Sequence, residues 1–244
     1  MESNRKAAVA AGMLFIVATV ADVISRVAFL TPVLGSPDPL AAVSANETRV
    51  VLGAVLLFVG AAAAAGIAIA MYPVMRGHGE ALAIGSVGFR LIEGTFYLGI
   101  VVCLLILVAM GEQAMSSDSP VAFAVPVTLV LAAREALGQV GVLAFGVGAT
   151  LYYSLFYRSR LVPRWLSAWG LVAIASLMIS VVLVISGVVE PMSQAQILLA
   201  APIGVQEMVL AGWLIAKGFR PADAVAFGAP IETDLASSAR ATAA

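Results

Sequence analysis

Long apolar runs separated by short polar turns constrain this chain more than any other feature. Several of them extend for about 20 residues or more, which is the length that an α-helix needs to cross the hydrocarbon core of a bilayer. Only 11% of the residues are charged, against roughly 25% in a typical soluble domain. The runs are too long, and too uniformly apolar, for transmembrane β-strands. The sequence therefore predicts an all-α, polytopic membrane helical bundle.

The polar turns divide the chain into six predicted transmembrane helices. Their approximate bounds are residues 8–30, 46–75, 81–110, 131–157, 164–189 and 194–217. One stretch leaves two alternatives open. Either residues 121–130 form a short re-entrant or interfacial helix before the fourth membrane helix, or residues 120–157 form one long helix kinked at Pro126. Asn46 is predicted to cap the second helix, after a proline-rich loop with a short amphipathic turn near residues 40–43.

One transmembrane domain is predicted over residues 1–219, because no soluble stretch is long enough to form a second core. Residues 220–244 are rich in alanine and have no apolar face, so we expect a disordered cytoplasmic tail. An aromatic belt at the inner interface is expected from Tyr152, Tyr153, Tyr157, Trp165 and Trp169.

The Lys and Arg residues of the turns predict the orientation. One set of turns and termini carries Arg5, Lys6, Arg76, Arg158, Arg160, Arg164, Lys217 and Arg220. On the opposite side only Arg49 is basic. Because basic loops stay in the cytoplasm, both termini are predicted to be cytoplasmic.

Composition also excludes several classes of site. Cys103 is the only cysteine and His78 the only histidine, so haem or zinc sites with several such ligands are excluded. We predict no cofactor and no metal, although a site built from carboxylates stays open. No basic stripe with interleaved aromatic residues indicates nucleic acid. The expected partners are membrane lipids and a small-molecule or lipid ligand.

Charged residues inside the apolar runs are the candidate functional groups. Arg90 and Glu93 lie near the middle of the third run and share one helix face. At that depth an unpaired charge costs about 2.5–3.5 kcal/mol on insertion scales. Asp22 precedes Arg26 by four residues, which is the favourable order for a helical ion pair. We expect Arg90 to be shared between helices, because acids elsewhere outnumber their bases.

Arg134 and Glu135 are adjacent, so their side chains point about 100° apart on a helix. At least one of them is therefore expected to find a partner on another helix. For Arg134 the candidate partners are Asp22, Glu93 and Glu207. Gln139 lies one turn from Glu135 on the same face.

These residues converge on one polar region in the outer half of the predicted bundle. The candidate site consists of Asp22, Arg26, Arg49, Arg90, Glu93, Arg134, Glu135, Gln139, Gln206 and Glu207. Two interpretations stand. In the first, the charges form a purely structural network. In the second, they line a cavity that binds or transports a small molecule or protons, since an ionisable residue in a membrane span is by default a candidate for a functional site.

Two other functions remain open. One is a membrane-embedded enzyme acting on a lipid or isoprenoid with a carboxylate as general acid or base, although no GxSxG, HExxH or Walker motif is present. The other is an accessory subunit that docks a partner through the basic turn at residues 158–164. Anionic lipid is the alternative occupant of that turn.

Four sequence fragments resemble one known family. They are Tyr72-Pro73, Gly88-Phe89-Arg90-Leu91-Ile92-Glu93, the stretch 157–170 around Val162-Pro163-Arg164-Trp165, and the stretch 207–219 with Trp213 and Lys217-Gly218-Phe219. Together they resemble the bacterial and archaeal membrane family catalogued as domain of unknown function 4386. The resemblance implies a six- or seven-helix protein of the bacterial cytoplasmic membrane. It brings no established activity and no catalytic residues, but Arg90, Glu93 and Glu207 match motif positions.

Overall fold

The computed structural model of the chain describes residues 2–117, 120–191 and 193–220. Every regular element in these residues is helical. They are α1 (Glu2–Ile24), a π-helical segment (Ser25–Leu30), α2 (Thr31–Leu34), α3 (Pro39–Ala45), α4 (Glu47–Met75), α5 (Glu80–Met115), α6 (Ala124–Ser159), α7 (Arg164–Ile185) and α8 (Gln194–Ala216), with short 3₁₀ turns at Arg76–His78 and Pro120–Phe123. Six helices are long and apolar enough to cross a membrane, the first of them running without a break from Asn4 to Leu34. The predicted all-α membrane bundle is confirmed.

The start of α6 decides between the two alternatives for residues 120–157 in favour of one long helix, and it corrects the predicted start of the fourth membrane helix. The fourth membrane helix does not begin at Leu131, because α6 already begins at Ala124 and continues to Ser159. Pro126 lies in its first turn, where the missing backbone N–H would have had no helical acceptor, so it does not interrupt the helix. The predicted re-entrant helix at 121–130 is replaced by the 3₁₀ turn Pro120–Phe123.

Two smaller predictions concern the connections. The amphipathic turn is α3, which buries Val43 and is capped by Asp38, whose Oδ1 accepts from the Ala41 N–H at 3.1 Å. Asn46 does not cap α4 with its side chain, because its Nδ2 donates to the Ala42 carbonyl at 2.9 Å. Of the predicted tail, Arg220 is packed, with its N–H 2.8 Å from the Leu161 carbonyl. Residues 221–244 lie outside the described part.

The six membrane helices form a closed ring. Each packs against its sequence neighbour, in the order α1, α4, α5, α6, α7 and α8, and α8 returns to pack on α1. A ring of this kind encloses an interior to which every helix presents one face.

The two ends of the ring differ in charge. We call the end that holds residues 4–6, 76–80, 158–164 and 217–220 the basic end, and the end that holds residues 31–47, 185–191 and 193–194 the distal end. In the half near the basic end, one apolar core joins all six helices. It includes Phe15, Met71, Ala83, Tyr152, Phe156, Leu166 and Leu214, each at most 1% exposed. This half is closed by packed side chains.

In the distal half, the apolar core is restricted to one side of the ring. It includes Leu30, Val33, Val43, Val50, Leu57, Ile100, Leu104, Leu107 and Val127. All of these residues belong to the segment from the π-helix to α6, and none to α7 or α8. The packing therefore leaves space between this core and the last two helices.

Candidate functional site

A central cavity of two adjoining chambers lies inside the ring. The deeper chamber, which we call the floor chamber, has a volume of about 300 Å³ and is bounded by all six membrane helices. The second, the distal chamber, has a volume of about 250 Å³. Both are bordered by Asp22, Leu57, Tyr97, Val142, Leu177 and Ala200. The floor chamber exists because much of its wall is formed by small residues, among them Ala18, Gly60, Ala61, Ala64 and Gly204.

An ion-paired trio forms the polar part of the floor chamber. Arg90 Nη1 lies 2.9 Å from Glu93 Oε2, one turn along α5. Arg90 Nη2 lies 3.4 Å from Glu207 Oε1 on α8. Arg90 is thus shared between two carboxylates on two helices, and it joins helices that are not neighbours in the ring.

Aromatic rings surround the same guanidinium. Its Cζ lies 4.6 Å from the ring centre of Phe145, 5.7 Å from that of Tyr152 and 6.0 Å from that of Phe15. Such contacts stabilise a desolvated cation. Among the described residues, Arg90 Nε is buried by this packing and has no hydrogen-bond partner. Arg90 is held from all sides and has little freedom to move.

Glu207 is the most accessible member of the trio. Its side chain is 14% exposed, against 5% for Glu93 and 4% for Arg90. Its Oε1 also accepts from the Tyr152 hydroxyl at 3.3 Å. The carboxylate is therefore positioned at the chamber wall by two donors, both at the long end of hydrogen-bond distance.

Gln206, the neighbour of Glu207, has a different role. Its side chain is fully buried, accepts a hydrogen bond from the Tyr153 hydroxyl and donates to the Leu166 carbonyl at 3.0 Å. These bonds connect α8 to α6 and to α7. Gln206 does not line either chamber, so it fixes the position of Glu207 rather than taking part in the cavity.

Asp22 and Arg26 form a local pair between the chambers. Arg26 Nε lies 2.9 Å from both carboxylate oxygens of Asp22. The side chain of Arg26 is 36% exposed and that of Asp22 is 40% exposed, so this pair is far less desolvated than the trio.

The third charged group lies in the distal chamber, and it differs from the prediction. Arg134 does not pair with Asp22, Glu93 or Glu207; its ion pair within the described residues is with the adjacent Glu135, at 3.9 Å. That distance is too long for a hydrogen bond. Glu135 Oε1 instead accepts from Gln139 Nε2 at 2.7 Å.

Arg49 lies apart from the cavity. Its Nε and Nη2 donate to the Ala28 carbonyl at 3.1 and 2.5 Å. Four residues after Ala28 the chain has Pro32, which has no backbone N–H to donate, so the Ala28 carbonyl lacks its α-helical donor and is available to Arg49. The charges that the sequence placed in one region are therefore divided into separate groups.

The sequence did not single out several residues that shape the site. Tyr152 and Tyr153 were expected in an interfacial belt, but both are fully buried and contact Glu207 and Gln206. Phe145, Tyr97 and Gly204 also border the cavity, and the sequence did not predict this. Their only signal in the sequence is that they lie at helical spacing from predicted charges, which many apolar residues also do. In the described residues no group of three or more His, Cys, Asp or Glu side chains is placed to hold a metal ion.

Comparison with known proteins identifies the family of this chain. Residues 10–218 match the family described as Domain of unknown function (DUF4386). The chain belongs to this family. The match covers every charged residue of the two chambers, and the resemblance read from the sequence is confirmed. Searches of curated proteins and of solved structures gave no match. Membership of DUF4386 supports a membrane protein and assigns no activity.

Proposed function

We propose that this DUF4386 protein binds a small molecule in its central cavity and transports it, with proton exchange at Glu207. The observation that carries the proposal is the trio at the cavity floor. A single arginine is shared there by two carboxylates, so the trio has one acidic group more than it has bases.

The surplus carboxylate has a physical consequence. If Glu93 and Glu207 are both ionised, the trio has a net charge of −1 in a region of low dielectric, which is costly. A proton on one carboxylate, or a cation beside it, removes that charge. Glu207 is the better candidate, because it is the more exposed to the cavity and lies farther from Arg90.

Transport is favoured over a purely structural role by the asymmetry of the bundle. The floor chamber adjoins the distal chamber and shares part of its lining, whereas packed side chains close the half near the basic end. The bias of Lys and Arg toward the basic end predicts that the distal end faces outward. The cavity would then be open to the outside, and release to the inside would require the closed half to separate.

Infrared spectroscopy of the reconstituted protein tests the proton exchange directly. Acidification should produce the C=O band of a protonated buried carboxyl in the wild type. Glu207→Gln should remove that band. The matched control is Glu112→Gln, which removes an exposed acid from the distal end of α5 outside the cavity and should leave the band intact. A wild-type band that persists in Glu207→Gln would contradict the assignment.

Solute uptake tests the cavity as the transport path. Gly204 lines the floor chamber, and a Cβ built there meets no atom within 4 Å. Gly204→Leu should therefore fill the chamber without disturbing its walls, and should abolish uptake of any transported solute into proteoliposomes. Gly212→Leu is the control on the same helix, since it also meets no atom but does not line the cavity. Equal uptake by the two variants would reject the path.

A further inference from the structure

We infer that the distal chamber is a subsite for a small carboxylate that carries an adjacent O–H or N–H donor, as 2-hydroxy and 2-amino acids do. The carboxylate would bind Arg134, and the donor would bind Gln139. This inference rests on the proposed function of the cavity, because it names the class of molecule that the cavity takes.

The first argument is the state of the Arg134 guanidinium. Within residues 2–117, 120–191 and 193–220, Arg134 donates no hydrogen bond, and its Nε is buried without a partner. Arg26, the other arginine of the chamber, is already bound by Asp22. A guanidinium presents several N–H groups in a planar fork that matches a carboxylate. Arg134 is therefore the uncommitted cation of the distal chamber.

The second argument is the orientation of Gln139. Its Nε2 is bound to Glu135, which leaves its Oε1 buried and without a donor among the described residues. A buried acceptor without a partner is unfavourable. An O–H or N–H group next to the ligand carboxylate would satisfy Gln139 Oε1. Arg134 and Gln139 both border the chamber, although Arg134 Nε and Gln139 Oε1 are themselves covered. A turn of the two side chains toward the chamber would bring an unpaired donor and an unpaired acceptor to such a ligand.

The charge and the walls of the chamber narrow the class further. Its charged residues are Asp22, Arg26, Arg134 and Glu135, which balance. One uncommitted arginine suits a single carboxylate group better than a phosphate dianion, which the two acids would repel. Leu57, Ile100, Val142, Leu177 and Val181 form an apolar part of the wall. A short apolar side chain on the ligand fits there.

Binding measurements on the full-length protein in detergent test the subsite with a matched pair of probes. The probes are butyrate and 2-hydroxybutyrate, which differ by the one hydroxyl assigned to Gln139, with 2-aminobutyrate and inorganic phosphate as further probes. We expect 2-hydroxybutyrate to bind roughly tenfold more tightly than butyrate, the equivalent of one well-formed hydrogen bond. Phosphate binding more tightly than either carboxylate, or no binding of 2-hydroxybutyrate or 2-aminobutyrate to the wild type, would overturn the inference.

Variants assign each part of the ligand to its residue. Arg134→Gln should lose binding of both carboxylates, and Arg134→Lys, which keeps the charge but not the fork, should weaken it by roughly fivefold or more. Gln139→Leu should bind the two carboxylates equally. Arg158→Gln, which removes an exposed arginine from the basic end of the same helix, should bind like the wild type. Wild-type binding by Arg134→Gln would refute the subsite.

The same variants separate this inference from the proposed function. If Arg134→Gln loses 2-hydroxybutyrate but keeps the infrared carboxyl band, the subsite is supported independently of proton exchange. If the wild type binds 2-hydroxybutyrate through Arg134 and shows no such band, the subsite stands and proton exchange at Glu207 fails. If the band is present and depends on Glu207 while no carboxylate binds, the proposed function stands and the subsite fails.

Discussion

The two halves of the bundle are built from the same six helices but differ in how their interior is filled. Near the basic end, residues from every helix meet in one core, which includes the large, fully buried side chains of Tyr152, Tyr153 and Phe156. Near the distal end, the apolar cluster described above includes no residue of α7 or α8, and charged residues line the space beside it. The difference lies in residue size and in which helices reach the axis. One half is closed and the other holds a cavity.

Charge follows the same division. Arg90, at the boundary of the two halves, is almost fully buried and is paired with two carboxylates. Arg26, nearer the distal end, has one carboxylate and is about a third exposed. Of these two arginines, the more desolvated one has the larger number of compensating contacts, whereas Arg134 is 23% exposed and has only a long ion pair.

Removal of Arg90 should have the largest effect on stability. Arg90→Met leaves Glu93 and Glu207 buried without their cation, and should lower the free energy of unfolding by about 3–5 kcal/mol. Arg26→Met, which breaks the exposed pair, should cost about 0–1 kcal/mol. Denaturation in detergent, monitored by loss of helical signal, measures both. Equal losses would mean that the two halves are solvated alike.

A methyl group added to the closed half should have the next largest effect. A Cβ at Gly170 would lie 2.5 Å from the ring of Tyr153, which is fully buried and bound to Gln206. Gly170→Ala should therefore destabilise the protein by about 1–3 kcal/mol. Gly212→Ala, in open space on α8, should instead stabilise it by about 0.5–1 kcal/mol through helix propensity. Midpoints of thermal unfolding that shift in the same direction would show that the core tolerates expansion.

Water access should separate the two halves by labelling rate. In a Cys103→Ala background, we expect Gly204→Cys to react with a charged, membrane-impermeant thiol reagent because it lines the cavity. Ala149→Cys, in the closed core, should react at least about tenfold more slowly, since exposure controls thiol reactivity. Reagent applied to one side of the vesicle at a time also tests the predicted orientation. Comparable rates would remove the distinction between the halves.

The smallest effects concern two buried serines. Ser25 Oγ donates to the Gly53 carbonyl at 2.7 Å in the distal half, so Ser25→Ala should cost about 0.6 kcal/mol, a typical value for a hydrogen bond between membrane helices. Ser167 Oγ, in the closed half, is buried without a partner, so Ser167→Ala should be neutral or slightly stabilising. Chemical denaturation of the pair checks the sign. A loss at Ser167 would reveal a partner that the geometry does not show.

Much of the fold could be predicted because its signals are local. Apolar runs long enough to span a bilayer predicted the six membrane helices, and the i, i+3 spacing of Arg90 and Glu93 predicted their pair. The start of α6 was predicted less well, because the sequence pattern does not show whether Pro126 lies in a first turn or in a helix interior. A proline is tolerated in the first turn of a helix, whereas in the interior it kinks or breaks the helix.

The candidate site was predicted in part. Asp22, Arg90, Glu93, Arg134 and Glu207 do line the two chambers. Arg49 does not, because a carbonyl of the π-helical segment binds its guanidinium at the surface. The packing of the π-helical segment against α4, which no periodicity in the sequence predicted, brings the Ala28 carbonyl to Arg49.

By itself, the sequence determined the class of protein, the number of membrane spans and the residues that would need partners inside them. These properties depend on hydropathy and helical periodicity, which are local. Only the tertiary structure decided which partner each charge finds: Glu207 for Arg90, and Glu135 rather than an acid on another helix for Arg134. That choice depends on how the ring closes, with α8 against α1, and on the depth at which each helix sits. Contacts between residues more than 100 positions apart, such as Arg90 and Glu207, leave no periodic trace in a single sequence.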